Sequence, residues 1–193
     1  MAKEEFGYYF ETFGPFDIPV NGGEIARPPA KWWKDEVDYI YEDGDVSRAI
    51  GCYMFAMGEA HVRPWYIGKT INQRGFREEV FTDHKLGLYN WVLGEGYRGP
   101  PVLFLFPLIT RPFQDDSWRF ARGTSHNRAI EWLERTLMGM AYSQNQEIAN
   151  TRDVTYFRTV HVRGLLGKAQ RGRRTGDIVK ARQALLGEKT AKK

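Results

Sequence analysis

The stretch Gly51-Cys52-Tyr53-Met54-Phe55-Ala56-Met57, followed after a short connection by Trp65-Tyr66-Ile67-Gly68-Lys69-Thr70, decides the fold class. Both segments are apolar and aromatic, and each has the length of a strand. Gly58 and Pro64 lie in the connection between them. Apolar runs of this length, separated by turn-forming residues, predict two strands that pair as a hairpin.

Patterns on both sides of this hairpin predict further strands and several helices. Strand patterns occupy residues 6–20 around a Gly14-Pro15 turn, 102–108 and 154–163. Helical patterns occupy residues 74–90, 127–143 and 178–186. Ser125 or Asn127 is expected to cap the second helix. We therefore expect an α/β fold of the α+β type, with a small, mainly antiparallel three-stranded sheet flanked by helices.

Charge divides the 193-residue chain into three parts. Residues 1–50 hold five Lys or Arg against eleven Asp or Glu, and they form an acidic, aromatic-rich, β-rich extension expected to pack on the core. Residues 51–150 form the expected core. Residues 151–193 supply a last strand and a basic tail, in which residues 168–193 carry nine Lys or Arg against two acids. A basic tail is typical of polyanion binders and also of solvated termini.

Cysteine and histidine content narrows the chemistry. Cys52 is the single cysteine, so neither an internal disulfide nor a cysteine zinc site can form, and we expect a core role for it. The four histidines are scattered, which leaves a hard cation bound by carboxylate oxygen as the open metal option. The absence of a signal-peptide pattern and of a long apolar run predicts a cytoplasmic protein with no membrane segment.

The helix predicted over residues 74–90 directs polar groups toward the core. Arg77 and His84 are two turns apart, so they share a face with the apolar residues Val80, Phe81 and Leu88. A buried guanidinium without a partner is costly, so we expect an anion close to Arg77. The alternative is an ion-paired arginine at the edge of the stripe and a hydrogen-bonded histidine.

The helix predicted over residues 127–143 carries a carboxylate within its apolar stripe. That stripe contains Ile130, Leu133, Leu137, Met140 and Ala141. Glu134 lies about 40° from Ile130 around the helix, inside the stripe, and Glu131 lies at its edge. The expected partner of Glu134 is Arg77, a metal ion, or each in turn. A purely structural Glu134–Arg77 ion pair is the alternative.

These residues together resemble the GIY-YIG nuclease family. Gly51-Cys52-Tyr53 and Tyr66-Ile67-Gly68 resemble its paired signature, with Cys52 in place of the usual isoleucine. The family's later elements are an arginine and a histidine on the next helix, then a glutamate, an apolar pair and an asparagine. The residues that match them are Arg77, His84, Glu134, Leu137, Met138 and Asn145. Arg74 is a rival to Arg77. The resemblance covers residues 51–145.

The resemblance implies a metal-dependent endonuclease that hydrolyses DNA phosphodiesters with one ion. In that scheme Glu134 binds Mg²⁺ or Mn²⁺. Tyr53 acts as the general base for water, and the positive charge of Lys69 lowers its pKa. Tyr66 donates a hydrogen bond to phosphate or water. Arg77 stabilises the transition state as a fixed donor fork.

The resemblance gives less defined roles to a second group of residues. His84 assists in positioning or proton transfer, and Asn145 holds either the local structure or the phosphate. Gly68 and Arg74 are further candidate nucleic-acid contacts, with a close backbone approach as the alternative role for Gly68. The basic tail adds four candidate phosphate contacts at Lys168, Arg171, Arg173 and Arg174.

The expected partner is DNA, with RNA left open, and two chains are expected to pair transiently if both strands of a duplex are cut. Two alternatives to a self-sufficient nuclease also remain open. The first is a non-cleaving nucleic-acid-binding module with the same fold. The second is a nuclease subunit that depends on a protein partner for specificity, docked through residues 1–50.

Overall fold

The computed structural model describes residues 8–40, 45–97, 99–110, 119–123, 126–150 and 176–186. The chain divides into two compact units, Met1–Asn150 and Thr151–Lys193. The described part of the second unit is one helix, close to the predicted range of 178–186. The strand predicted over residues 154–163 lies outside the described residues.

The described residues form eight strands and five helices. The strands are β1 (Tyr9–Phe10), β2 (Phe13–Asp17), β3 (Val20–Asn21), β4 (Glu24–Ile25), β5 (Gly51–Met57), β6 (Arg63–Thr70), β7 (Pro101–Thr110) and β8 (Arg119–Phe120). The helices are α1 (Ala30–Trp32), α2 (Phe76–Glu79), α3 (Asp83–Gly94), α4 (Asn127–Gln144) and α5 (Gly176–Leu186). Helical turns at Trp33–Val37, Asp38–Ile40 and Val46–Arg48 complete the set. No helix in this described part is both long and apolar enough to cross a bilayer.

The main sheet is antiparallel and has six strands, so the prediction of three strands was wrong. β5 pairs with β6, which confirms the predicted hairpin, and it also pairs with β7, which contains the predicted strand 102–108. β1, β2 and β8 also pair with β7, which is ten residues long and provides a longer edge than the predicted 102–108. The N-terminal extension is therefore hydrogen-bonded into the sheet through β1 and β2, while β3 and β4 form a separate two-stranded sheet.

The two faces of the β5–β6 hairpin bury different cores. Tyr53 and Phe55 belong to the larger core, which includes Phe76 and Tyr89 from α2 and α3. Cys52 belongs to a smaller core with Ile130 of α4. Because successive strand residues point to opposite faces, α2 and α3 cover one face of the hairpin and α4 covers the other.

The single helix predicted over residues 74–90 is broken at Val80–Thr82, and this changes the geometry of its polar residues. The carbonyl of Val80 accepts a hydrogen bond from the Tyr89 hydroxyl, and the carbonyl of Phe81 accepts one from the Arg27 side chain. Both carbonyls therefore accept side-chain hydrogen bonds at the break, and α3 begins at Asp83. Arg77 and His84 lie on different helices and are both exposed, so the prediction that they share a core-facing stripe was wrong.

Helix α4 matches its predicted range to within one residue, but its buried face is rotated slightly from the predicted one. Ile130, Met138 and Ala141 are buried, whereas Met140 is 62% exposed, so its place in the predicted stripe was wrong. His126 precedes the first turn and no side chain caps it, while Ser125 lies outside the described residues. Packing on β5 and β6 supports α4.

The segment after α4 covers the outer edge of β6. The Asn150 side chain accepts a hydrogen bond from the Ile67 amide at 2.9 Å and donates one to the Ile67 carbonyl at 2.7 Å. The Ala149 amide donates to the Trp65 carbonyl at 2.7 Å. These bonds satisfy an edge strand that would otherwise expose its backbone, and they fix β6 in place.

We predict that Gly68→Ala destabilises the fold, because Tyr53 lies directly opposite Gly68 in the hairpin. A Cβ at position 68 would lie 2.9 Å from Cε1 of Tyr53 and closer still to Cζ and the hydroxyl oxygen. Overpacking of this kind costs about 1–3 kcal/mol of unfolding free energy, which urea denaturation measures.

Gly87→Ala is the matched control for this prediction. Gly87 lies in α3, and nothing lies within 4 Å of a Cβ built there. Alanine in a helix is favoured over glycine by roughly 0.5–1 kcal/mol, so this variant is expected to be more stable than the wild type. Equal stability of Gly68→Ala and the wild type would contradict the packing described for Tyr53.

Candidate functional site

The end of the hairpin where β5 begins and β6 finishes carries most of the residues singled out from the sequence. In the register, Gly51 lies opposite Thr70, Cys52 opposite Lys69 and Tyr53 opposite Gly68. The chain then turns through residues 71–75 into α2, which brings Arg74 and Arg77 to the same end. Helix α4 packs along β6 and supplies Glu134.

Glu134 is a shielded carboxylate whose partner is a lysine. Its side chain is 13% exposed, and its Oε2 accepts a hydrogen bond from Nζ of Lys69 at 2.7 Å. Glu131 lies one helical turn away with its Oε1 3.9 Å from the same ammonium. The orientation of Glu134 toward the sheet agrees with the prediction, but its ion-pair partner is Lys69, from the facing strand, and not Arg77.

Cys52 lies between these groups and the core. Its thiol is buried and donates to the Ile130 carbonyl at 3.3 Å. Burial, followed by the charge of Glu134, raises the pKa of Cys52 far above its ordinary value, with Lys69 acting in the opposite sense. A thiol held in its neutral form is a poor nucleophile, so the structure agrees with a core role for Cys52.

Tyr53 lies in the larger core. Its ring centroid is 6.1 Å from that of Tyr66 and 6.4 Å from that of Phe76, and the side chain is fully buried. Burial, with smaller contributions from Tyr89 and Tyr66, raises the pKa of Tyr53 well above 10.0. The expected lowering of this pKa by Lys69 is absent, because Lys69 points to the opposite face of the hairpin.

The predicted meeting of Glu134, Tyr53 and Arg77 around one pocket is therefore wrong for this structure. Glu134 and Lys69 lie on the α4 face of the hairpin. Tyr53 and the half-buried Tyr66 lie on the face covered by α2 and α3. Strand alternation separates the two sets, since Lys69 is adjacent in sequence to Gly68, which contacts the Tyr53 ring.

Arginines line a pocket of about 300 Å³ near the start of α2. Its lining residues are Arg48, Gln73, Arg74, Arg77, Glu78 and Arg122. Within the described residues, Arg74, Arg77 and Arg122 form no ion pair, whereas Nε of Arg48 is 3.4 Å from Asp45. Arg74 and Arg77, the two candidates for the family's arginine, thus line the same pocket.

The remaining predicted residues divide into three groups. His84 is exposed and does not line this pocket. Asn145 is buried, accepts a hydrogen bond from Arg63 at 2.6 Å and donates one to the Pro64 carbonyl at 2.7 Å, which supports its structural alternative. Four tail residues lie outside the described part of the chain: Lys168, Arg171, Arg173 and Arg174.

Sequence reasoning missed Arg48 and Arg122. They lie 74 positions apart, and neither belongs to a spaced motif. The hydrogen bonds that bring their segments together join Ile50 to Ala121 and Ala121 to Leu108. No sequence pattern predicts these hydrogen bonds, although Arg48 precedes a short apolar segment and Arg122 follows one.

A hard divalent cation fits Glu134 in donor chemistry. Mg²⁺ and Mn²⁺ take carboxylate oxygen, and Mg²⁺ commonly uses one or two protein carboxylates with water and phosphate. Lys69 must leave Oε2 of Glu134 before a cation can take that oxygen. Among the residues that the structure describes, no group of three or more His, Cys, Asp or Glu forms a ready metal cage.

Comparison with known proteins adds no relative: no family model, curated protein or solved structure matches this chain. The geometry of the chain's own residues therefore carries the functional argument.

We predict that Lys69 and Glu134 are energetically coupled. A double-mutant cycle with Lys69→Met and Glu134→Gln is expected to give a coupling energy of about 1 kcal/mol, because both partners are partly shielded from water. The same cycle with Glu131→Gln is expected to give under about 0.5 kcal/mol, since that contact is 3.9 Å long. Equal coupling in the two cycles, measured by urea denaturation, would contradict the assigned pairing.

We also predict that the buried phenol of Tyr53 destabilises the protein at alkaline pH. Its pKa is raised above 10.0, so the unfolded state releases its proton first and stability falls as pH rises past 10.0. Tyr53→Phe removes this contribution. The variant is expected to lose less unfolding free energy than the wild type between about pH 9 and 11. An identical loss in both proteins would show that Tyr53 ionises as readily when folded as when unfolded.

Proposed function

We propose that the chain is a metal-dependent endonuclease that hydrolyses phosphodiester bonds in DNA, with a GIY-YIG-type architecture. The observation that carries the proposal is the placement of a shielded carboxylate, Glu134, and the guanidinium groups of Arg74 and Arg77 at one end of the β5–β6 hairpin. Hydrolysis of a phosphodiester needs cationic groups for the phosphate and an oxygen ligand for a metal ion.

The charge distribution at this end favours an anionic substrate. Arg74 and Arg77 are exposed, and their partners in the pocket include a single acid, Glu78. Arginine presents a planar fork of donors that matches the oxygens of a phosphate. A DNA backbone supplies such groups in a row, so this end of the hairpin can hold the strand on which hydrolysis takes place.

Each residue then has a role consistent with its surroundings. Glu134 would hold Mg²⁺ or Mn²⁺, which stabilises the charge on the scissile phosphate and the leaving oxygen when bound. Lys69 orients the Glu134 carboxylate through its 2.7 Å contact and would give up Oε2 to the ion. Arg77 binds the phosphate, and Arg74 binds a neighbouring oxygen or phosphate.

Tyr53 has a packing role in this proposal and not the role of a base. A base must reach water and release its proton near the working pH, whereas Tyr53 is buried and its pKa is raised. Tyr66 is half-buried and remains the tyrosine with access to solvent on that face. His84 is exposed and outside the arginine pocket, and its proposed part in positioning or proton transfer is unchanged.

A non-cleaving nucleic-acid-binding protein is the second candidate. The Lys69–Glu134 contact favours it, because an ammonium already neutralises the carboxylate that a metal ion would use. Binding without hydrolysis needs the arginines alone. The two candidates therefore differ in whether Glu134 matters for turnover.

We predict metal-dependent nicking of plasmid DNA that requires Glu134 and Arg77. The full chain is incubated with supercoiled plasmid and Mg²⁺ or Mn²⁺, with a chelator in a parallel reaction. Glu134→Ala is expected to abolish nicking while DNA binding in chelator persists. Arg77→Ala is expected to lower the rate by roughly 10²- to 10³-fold, the usual cost of removing one charge-stabilising donor.

Two exposed positions serve as matched controls. Arg135→Ala removes a guanidinium from α4 and Glu95→Ala removes a carboxylate beyond α3, and neither residue lines the pocket. Both variants are expected to nick like the wild type. Wild-type nicking by Glu134→Ala would reject the proposed metal ligand. Tight DNA binding by the wild type without nicking in either metal would favour the second candidate.

A further inference from the structure

The arginine pocket is assembled from four separate parts of the chain. Arg48 belongs to the turn Val46–Arg48, Arg74 to the turn after β6, Arg77 to α2, and Arg122 to the segment after β8. Of these four arginines, only Arg74 and Arg77 were compared with the arginine of the nuclease signature. The other two reach the pocket through tertiary contacts alone, so their position there is a separate feature of this chain.

The backbone that presents Arg48 is held tightly. Gly75 packs against the backbone of Arg48, and a Cβ at position 75 would overlap its Cα, C and O atoms. Gly75 also has φ of +71°, which favours glycine. The turn after β6 and the turn that carries Arg48 are therefore fixed against each other.

Two sets of hydrogen bonds hold the backbone at Arg74 and next to Arg122. The Arg74 amide donates to the Asn72 side chain at 3.0 Å, and the Asn72 amide donates to the Thr70 hydroxyl at 3.3 Å. Next to Arg122, the Ala121 amide donates to the Leu108 carbonyl at 2.8 Å. The carbonyl of Ala121 accepts from the Ile50 amide at 3.2 Å. The turn and the sheet thus fix the backbone from which the Arg74 and Arg122 side chains extend.

Four guanidinium groups around one pocket repel one another. The lining contains one acid, Glu78, and Asp45 lies 3.4 Å from Arg48. Two acids against four arginines leave a net positive site, which an anion would stabilise. A pocket of about 300 Å³ admits a phosphodiester group, and several arginines can bind its oxygens through paired hydrogen bonds.

We propose that Arg48 and Arg122 complete a phosphate clamp with Arg74 and Arg77, and that this clamp binds the backbone of the nucleic-acid substrate. The inference rests on the proposed function for the identity of that substrate. It adds two substrate-contacting residues and assigns the pocket to a phosphodiester group of the bound strand. A nucleic acid is the favoured occupant because guanidinium groups from four segments of the chain match the several anionic oxygens that a phosphate backbone presents.

The experiment measures binding without hydrolysis. A labelled DNA duplex is titrated with the full chain in chelator, and fluorescence anisotropy is recorded over a series of NaCl concentrations. Arg48→Ala and Arg122→Ala are each expected to weaken binding by about tenfold and to reduce the slope of log K against log salt by roughly 1. Glu78→Gln is expected to strengthen binding, since it removes the acid from the lining.

Matched variants separate phosphate binding from a general loss of charge or of folding. Arg135→Ala is expected to retain the wild-type slope. Arg48→Lys and Arg122→Lys are expected to retain most of it, because the slope depends on the number of phosphates that positive charges neutralise. Thermal unfolding shows that each variant is folded. Wild-type slopes for both alanine variants, or an equal effect of Arg135→Ala, would overturn the clamp.

Titration with inorganic phosphate tests whether the pocket binds a free phosphate ion instead of a nucleic-acid backbone. If phosphate alone binds the pocket while the DNA affinity does not depend on Arg48 and Arg122, the assignment to a nucleic-acid backbone is wrong. Because the titration contains no metal ion, it is independent of cleavage. Failure of plasmid nicking, together with reduced salt slopes in Arg48→Ala and Arg122→Ala, would reject hydrolysis and leave the clamp in place.

Discussion

The pairing of Tyr53 with Gly68 across β5 and β6 is the constraint on which the rest of the site depends. The absence of a side chain at position 68 lets the phenol ring fill that space. The same register turns Lys69 to the opposite face, where it meets Glu134 of α4. It also ends β6 at Thr70, so that the following turn and α2 present Arg74 and Arg77. One strand pairing therefore places a core aromatic, an ion pair and two exposed arginines.

The charges at this end of the hairpin form two distinct groups. On the α4 face, Lys69 lies between Glu134 and Glu131, which gives a shielded and locally anionic site. Near α2, four arginines share a pocket with Glu78. A shielded carboxylate needs a cationic partner, which Lys69 supplies, and converging guanidinium groups repel one another. In the proposed function, a phosphodiester would offer anionic oxygens to the arginines, and a divalent cation would bind the carboxylates.

Sequence patterns predicted the local elements and not their tertiary relation. The apolar run 51–57 and the range of α4 were predicted well because strand and helix periodicity are local properties. The helical pattern did not predict the break at Val80–Thr82, because the break involves side-chain hydrogen bonds from other elements. Arg27 lies 54 positions before Phe81, and Tyr89 lies in the following helix. The separation of Tyr53 from Glu134 follows from which face α4 covers. The positions of Arg48 and Arg122 in the pocket depend on backbone hydrogen bonds between distant segments, which no single motif predicts.

The most direct test places Mn²⁺ and DNA on the protein together. Nuclear magnetic resonance spectra of the full chain are recorded with a non-hydrolysable phosphorothioate duplex, before and after Mn²⁺ is added. The account predicts that paramagnetic broadening is strongest for Lys69, Glu134 and the neighbouring residues of β6 and α4, and that the side-chain signals of Arg74 and Arg77 shift on addition of DNA. Sharp signals at Lys69 and Glu134, with broadening centred elsewhere on the chain, would contradict it.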